Sequence, residues 1–464
     1  MIIIELFAGV GGFRLGLEGY KPQKSKHYFS LLNGFRKDKH KKKIEHPGYF
    51  ITGIANQFEP STKTVQHAAE IYETQFPDGT LINKSVDEID GRTILDSIQK
   101  NVPADRLNEE LILVGGFPCQ DYSVAGRLDL SKGMQGKKGI LWWNIFNILL
   151  DLKKLSSPPQ FILLENVDRL LKSPVNAKGK DFTTILHCLH YLGYDVEYMV
   201  INAGEFGFPQ RRRRVFIMAH RVNTPPNAPI LKAAFPFNIK GQEEKKILFN
   251  KKCSRRELEE SIINYNLGWD FKKSPYLNYG IIKRGILTTS NFTPIKSNNI
   301  TTLKSILHKR QDGEIPSDFF VDQNQLNKWE EAKGASKIER IGLNRETGKR
   351  DFKYKFSVGK MSTFDPLDRP IRTIITSEGG KTPSRTKHLI KVPENMSSNH
   401  QPGIRRLTPL ELERANCFPD NFTEHPKVSD SRRAFIMGNA LVIGIVEKIR
   451  NSIITNHVTQ PKRQ

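Results

Sequence analysis

The sequence predicts an α/β fold, a parallel sheet buried between helices, accompanied by a second, smaller and loop-rich domain. Three observations carry that expectation. Over residues 1–220 short apolar runs alternate with stretches of helical length, the pattern of βα units whose strands are covered on both faces. From NTPPNAP, near residue 222, to about residue 400 the chain turns to Asn, Lys, Thr, Pro and Ser with weak periodicity, as in KSNNITT and SEGGKTPSRTKH. From Arg405 the helical signals return. At about 150 residues per domain, a chain of 464 residues corresponds to two or three domains. It contains no internal repeat.

Taken in order, the strands are IIIELF, FITGIAN, LILVGGF, FILLENV, VEYMVIN and RVFIMA. The first runs into Gly9, Gly11 and Gly12 and then into a helix bearing Leu15 and Leu17. Glycines here let the backbone turn tightly and approach a ligand, while the start of the helix offers free N–H groups. The pattern is not the GxGxxG of dinucleotide enzymes. Near the end, Thr408 and Pro409 supply a cap and a first-turn proline ahead of LELERANCF, and LVIGIVEKI forms a last apolar helix.

Lys and Arg number 72 against 49 Asp and Glu, a formal net charge of +23. Such a surplus points to a polyanionic partner, most simply nucleic acid. The run KDKHKKK, Lys37 to Lys43, reads instead as part of a solvated insertion. No run approaches the roughly 18 apolar residues of a membrane span. MIIIELF opens an element directly, without a basic region and cleavage site, so an intracellular protein with no membrane partner is expected. Four cysteines in a chain this long do not make a disulfide framework, which puts the weight on individual thiols.

One thiol stands out. LILV leads into GGFPCQDYSVAG, so Cys119 lies at the carboxyl end of a strand, where open parallel sheets place their reactive loops. Pro118 stiffens that loop, and Gln120, Asp121 and Ser123 make it polar. Cys119 is therefore the candidate nucleophile. Cys188, in TILHCLHYL, reads as a core thiol, Cys253, in KKCSRR, as a surface thiol, and Cys417 is assigned to the later helix. In FILLENV, Glu165 and Asn166 follow four apolar residues at another strand end, a position suited to a carboxyl that donates a proton near neutral pH. QRRRRVFIMA sets Gln210 and four arginines before the next strand, as an anion or carboxylate clamp.

In order, ELFAGVGG, GGFPCQ, LLENV, QRRRRVFI, RRLTPLELERANCFPDNF and GNALV resemble the signature blocks of the cytosine-5 DNA methyltransferases of bacterial restriction-modification type, over residues 1–220 and about 365–446. The resemblance implies a Rossmann-like sheet that binds S-adenosylmethionine, a target-recognition domain, and a cleft between them for double-stranded DNA. Catalytic, cofactor-binding residues would be 1–221 plus 425–464, with a Lys-rich insertion at about 21–48, and the recognition domain 222–424. It further implies that Cys119 is the nucleophile in a loop shaped by Pro118. Glu165 would engage ring nitrogen 3 of cytosine, with Asn166 extending its block. Arg214 would contact the base and support the thiolate, with Arg212 as its partner and Gln210 opening the block. Phe7, Gly9, Gly11 and Gly12 resemble the cofactor loop, and Leu141 and Asn439 further cofactor contacts. GNALV comes from the end of the chain, so the last helix should pack beside the first motif.

Several positions depart from the family pattern. Where an Asn-Glu-aromatic-Asp sequence is usual, this chain reads Asn56, Gln57, Phe58 and Glu59. Both Gln57 and Glu59 remain candidates for the ribose hydroxyls, and Phe58 fits the aromatic that stacks on adenine. KSVDEI replaces a Gly-Asp-Ile pattern, leaving Ser85 and Asp87 as alternatives for the adenine amine. The span from Gly12 to Glu59 far exceeds the roughly 20 residues expected after a Rossmann glycine turn; the Lys-rich insertion accounts for it.

The chemistry implied explains the residue types. Carbon 5 of cytosine is a poor nucleophile until a thiolate adds at carbon 6 while nitrogen 3 is protonated or hydrogen-bonded. The resulting enamine carbon takes the methyl group, and loss of the carbon 5 proton expels the cysteine. Guanidinium groups nearby favour the thiolate. A stacked base is out of reach, so the target must be flipped out, and the basic surplus supplies phosphate contacts. In RTIITSEGGKTPSRTKH, Thr373 with Ile374 resembles the family's Thr-Leu pair, and Arg385 and Lys387 suit a loop near phosphates and bases. No metal is expected. A monomer is expected, acting in the bacterial cytoplasm at the nucleoid, with a cognate restriction endonuclease sharing its site. A transfer-RNA substrate and a catalytically silent DNA-binding protein are the rival readings.

Overall fold

The computed structural model describes residues 1–19, 48–60, 65–117, 141–174, 177–222, 229–246, 272–283, 286–295, 297, 299–334, 337–342, 352–357, 361–393 and 403–458. Pro118, Cys119, Cys253 and most of the Lys-rich insertion lie outside them.

Ten strands form the central sheet: β1 Ile2–Leu6, β2 Ile51–Asn56, β3 Leu81–Ile82, β4 Leu111–Gly115, β5 Phe161–Val167, β6 Tyr194–Asn202, β7 Arg213–Arg221, β8 Phe237–Lys246, β9 Tyr279–Lys283 and β10 Ile286–Pro294. Their order is β3-β2-β1-β4-β5-β7-β6-β9-β10-β8. The first five positions are parallel. β7 then enters antiparallel between β5 and β6, so the first seven strands follow a doubly wound order with one added strand. Each of the six strands expected from the sequence is present.

The helices are α1 Gly12–Glu18, α2 His67–Gln75, α3 Gly91–Asn101, α4 Leu141–Lys154, α5 Lys180–Tyr191, α6 Ile230–Ala234, α7 Leu303–Ile306, α8 Gln323–Gly334, α9 Pro409–Ala415, α10 Asp430–Asn439 and α11 Ile443–Val458. Alternation along the strands divides them into two layers. Ile3, Val114 and Leu163 face a core shared with Leu15 of α1 and Val446 and Ile449 of α11. Ile2, Ile4, Leu113 and Leu164 face Ile94 and Ile98 of α3, Trp142 and Leu149 of α4, and Phe182 of α5. The last helix does pack beside the first motif: a Cβ on Gly16 would stand 2.5 Å from the Cβ of Val446. Among the described residues no helix is long and apolar enough to cross a membrane.

The change of composition at residue 222 is not the edge of the sheet. β9, β10 and β8 continue it antiparallel beyond β6, although KSNNITT-like polarity reads as loop. Their polar side chains are satisfied inside: the Thr289 hydroxyl, fully buried, donates to the Tyr279 carbonyl at 3.0 Å and lies 2.9 Å from the Tyr198 hydroxyl. Two small sheets follow, β11 Lys337–Gly342 with β12 Phe352–Ser357 and β13 Ile390–Val392 with β14 Gly403–Arg405. Buried ion pairs hold the later region. Asp365 accepts from Arg372 Nε at 2.7 Å and Nη2 at 3.0 Å and from the Leu389 N–H at 3.2 Å. Glu411, fully buried, accepts from Arg405 at 2.6 and 2.8 Å and from the His308 N–H at 2.8 Å. It also closes a capping box with Thr408 at the start of α9, as Thr408-Pro409 predicts.

Candidate active site

Strand order reverses between β1 and β4, and in open α/β sheets such a switch point opens a crevice beyond the carboxyl ends of the strands. The cofactor-loop residues gather on its β1 side. Phe7 takes a left-handed φ of 55° and Gly9 one of 57°. Side chains resist this conformation, and a Cβ on Gly9 would meet nothing within 4 Å, so the backbone borders open space. Gln57, after β2, fixes the turn by accepting from the Gly9 N–H at 2.8 Å. Below it, Glu5 is fully buried and receives the Arg14 N–H and the Tyr72 hydroxyl, both at 3.3 Å. Burial raises its pKa from 4.5 to about 7. Sequence reasoning missed this group, although a carboxylate inside an apolar strand was its signal.

Glu59 is fixed differently. Its main chain exchanges hydrogen bonds with the Gln66 amide at 2.7 and 3.0 Å, and Oε1 accepts from Arg432. Its Oε2 is buried with no hydrogen-bond partner among the described residues, a situation that costs about 1–3 kcal/mol until a donor arrives. Phe58 is half-buried beside it. Ser85 and Asp87 are hydrogen-bonded to one another, and Ser85 opens a short 3-10 turn as its cap. Leu141 is the first residue of α4 and is half-buried. An unfilled carboxylate oxygen and an open glycine turn fit an adenosine-type cofactor carrying ribose hydroxyls.

On the β4 and β5 side the catalytic candidates converge. Glu165, near the end of β5, pairs with Arg214 of β7 at 3.0 Å. A Cβ on Gly116 would lie 3.5 Å from Glu165 Oε2, so this carboxylate borders the segment that leads to Pro118. Asn166, buried, donates to the Phe117 carbonyl at 3.2 Å and accepts from the Val167 N–H at 2.8 Å. The start of the nucleophile loop is thus tied to β5.

Arg212 lies just ahead of β7 and has partners different from those of Arg214. Its buried guanidinium donates to the carbonyls of Gly438 at 3.1 Å and Asn439 at 3.3 Å. Gln210, fully buried, donates to Asn416 Oδ1 at 2.7 Å and accepts from the Ile374 N–H at 2.9 Å. These two residues join the arginine block to the chain's end and to the segment around Ile374. Asn439 enters through its carbonyl.

In the recognition loop Thr373 donates to the Arg211 carbonyl at 2.9 Å, and Arg385 to the Lys333 carbonyl at 3.2 Å. Lys387 differs from expectation: it is buried, and Nζ donates to the carbonyls of Gly380 at 2.9 Å and Thr382 at 2.8 Å. It shapes the loop from inside. Cys188 and Cys417 are buried, and burial pushes each thiol up to about 12. Cys417 sits past the end of α9, at φ 62°, rather than within a helix.

The family model for C-5 cytosine-specific DNA methylases matches residues 1–455. The chain is 36% identical to the Type II methyltransferase M.Sau3AI of Staphylococcus aureus, over 97% of this chain and 95% of that protein. It is 27% identical to the Type II methyltransferase M.HgiCI of Herpetosiphon aurantiacus, over 96% of both. Among solved structures it resembles the Entamoeba histolytica methyltransferase EhMeth, with a TM-score of 0.55, 14% identity and 99% of each chain covered. It also resembles S. pombe Dnmt2, with a TM-score of 0.53, 14% identity and 99% coverage of each.

Proposed function

The chain belongs to the C-5 cytosine-specific DNA methylases, and from that premise we propose how its own residues divide the work of methylating cytosine in duplex DNA. The observation that carries the reading is the convergence of Glu165, Arg214 and Asn166 on the segment leading to Cys119. Cys119 adds through its thiolate to carbon 6 of the flipped cytosine. Glu165 donates to ring nitrogen 3 as the addition proceeds, and Arg214 holds both the carboxylate and the base. Asn166 and Pro118 set the angle at which the thiolate approaches. Loss of the carbon 5 proton returns the electron pair that expels Cys119.

Phe7, Gly9, Gly11, Gly12, Phe58 and Glu59 would hold S-adenosylmethionine, with Leu141 and Asn439 at its edge. When bound, it supplies an electrophilic methyl group for carbon 5. Gln57 keeps the glycine turn in shape, and the mutually bonded Ser85 and Asp87 would meet the adenine amine as a pair. Arg212 and Gln210 act at one remove, by holding the chain's end and the recognition loop. The division into a catalytic domain (1–221 plus 425–464) and a recognition domain (222–424) is retained as the functional one. The pattern of relatives supports a Type II modification role, in which a cognate endonuclease reads the same site without a stable complex. The buried thiols at Cys188 and Cys417 support Cys119, since a desolvated thiol resists ionisation.

The test uses fluorine. Bisulfite sequencing of a plasmid from cells expressing the protein first locates the modified site. A duplex with 5-fluorocytosine at that site should accept the methyl group and then stall, because fluorine cannot leave as a cation. The expected product survives denaturing electrophoresis, requires S-adenosylmethionine, and maps by mass spectrometry to the peptide containing Cys119. Adducts at Cys188, Cys253 or Cys417, or trapping on RNA alone, overturn the assignment.

A further inference from the structure

Helix α10 gives one side chain an unusually firm base. A Cβ on Gly379 of the recognition loop would stand 2.6 Å from Ser431 Cα, and one on Gly438 would stand 2.5 Å from the Thr376 nitrogen, so both ends of the helix are pressed against that loop. Arg212, just ahead of β7, holds its last turn. From this helix Arg432 reaches the end of β2. Its guanidinium lies 4.5 Å from the Phe435 ring centroid, and Nη2 donates to Glu59 Oε1 at 2.5 Å.

The pair is mostly out of water, with side chains 19% and 14% exposed. A guanidinium on Oε1 and the Gln66 amide on the main chain leave the carboxylate little rotational freedom. Oε2 is then an oriented acceptor with no hydrogen-bond partner among the described residues. Gln57, the other candidate for the ribose, has already given its carbonyl oxygen to Gly9.

We propose that Arg432 is a positioning residue for S-adenosylmethionine, orienting Glu59 so that Oε2 accepts from the ribose hydroxyls. This rests on the reading of Glu59 as a cofactor residue. The motif blocks do not single out Arg432, because its partner lies at the opposite end of the chain.

The experiment compares Arg432→Ala, Arg432→Lys, Glu59→Gln and the Arg432→Ala/Glu59→Gln double variant in the full chain. Steady-state methylation of an unmethylated plasmid gives kcat and KM, and calorimetry with S-adenosylhomocysteine gives Kd. Arg432→Ala should raise KM for S-adenosylmethionine and Kd for the product about tenfold, as expected for loss of one oriented hydrogen bond, with a smaller change in kcat. Arg432→Lys should recover part of the loss, and the double variant should be no weaker than Glu59→Gln. If Glu59→Gln weakens binding while Arg432→Ala does not, or if the two effects multiply, the positioning role is overturned. If Glu59→Gln itself leaves Kd unchanged in an enzyme that methylates, the reading of Glu59 fails and the proposal falls with it. Absence of methylation by the parent protein would overturn the enzymatic reading itself.

Discussion

Residues 1–221 and residues 303–424 are held together by different physics. In the first, strands such as Ile2–Leu6 and Phe161–Val167 are sealed between two apolar layers. In the second, Glu411 with Arg405 and Glu378 with His388 at 2.8 Å sit buried as hydrogen-bonded pairs, and the buried Asp365 is paired with the half-buried Arg372. Apolar burial is non-directional and supplies bulk stability. A buried ion pair is a weak source of net stability compared with apolar packing, but it holds its partners in one geometry and is costly to break singly. The sheet needs a rigid platform for strand ends, whereas the loop proposed for DNA recognition would need its residues at defined positions.

The largest effect expected belongs to the platform. Glu165→Gln should lower kcat by about 10²- to 10⁴-fold, the usual reach of general acid catalysis, while filter binding of duplex DNA stays within a few-fold. A kcat near the parent value would detach the chemistry from the end of β5. Next, Glu411→Ala should cost about 3–5 kcal/mol by leaving Arg405 buried alone, as much as the roughly 2–5 kcal/mol of Leu163→Ala in the sheet core. Urea titration measures both, and a cost below about 1 kcal/mol for Glu411→Ala would break the contrast.

Glu5 is the exception inside the apolar half, and it sharpens the comparison. Its pKa rises from 4.5 to about 7 because burial disfavours the charged form, so the folded state holds a proton that the unfolded chain releases. Stability from this group is present below pH about 4.5 and falls as pH climbs toward 7, by at most about 3 kcal/mol at 1.4 kcal/mol per unit. Glu5→Gln should flatten that limb in melts across the same window, and an unchanged slope would remove Glu5 as its source. The smallest effect concerns Lys387. With its ammonium on the Gly380 and Thr382 carbonyls, Lys387→Met should leave the slope of log K against log salt unaltered. Arg211→Ala, at an exposed position beside Thr373, should reduce it by about 0.9 if it meets one phosphate. A loss of slope with Lys387→Met would return that lysine to the interface.

Much of the platform was legible beforehand because strands buried on both faces announce themselves as apolar runs, and because loops at strand ends carry reactive groups. Glu165 and Asn166 lie near the end of β5 beside Gly116 and Phe117, and Arg214 pairs with Glu165 from β7. β8, β9 and β10 were not legible: Thr289 and its neighbours look like loop until cross-strand partners bury and satisfy them. Nor was the split between neighbouring arginines, since QRRRR is uniform as a string and only the folded chain gives Arg212, just ahead of β7, the Gly438 and Asn439 carbonyls and Arg214, within β7, the Glu165 carboxylate.

The sequence by itself determined the succession of six apolar strands along the chain, the turn at Gly9, the cap at Thr408-Pro409 and the family of the chain, because each depends on residues close together or on blocks in a given order. Tertiary structure alone decided what long-range contact decides. It spent Lys387 inside its own loop, used Gln210 to join three distant segments, and set Arg432 against Glu59 from the far end of the chain. Polar side chains have several possible partners, and only the folded geometry, where an unmatched buried group is costly, selects one.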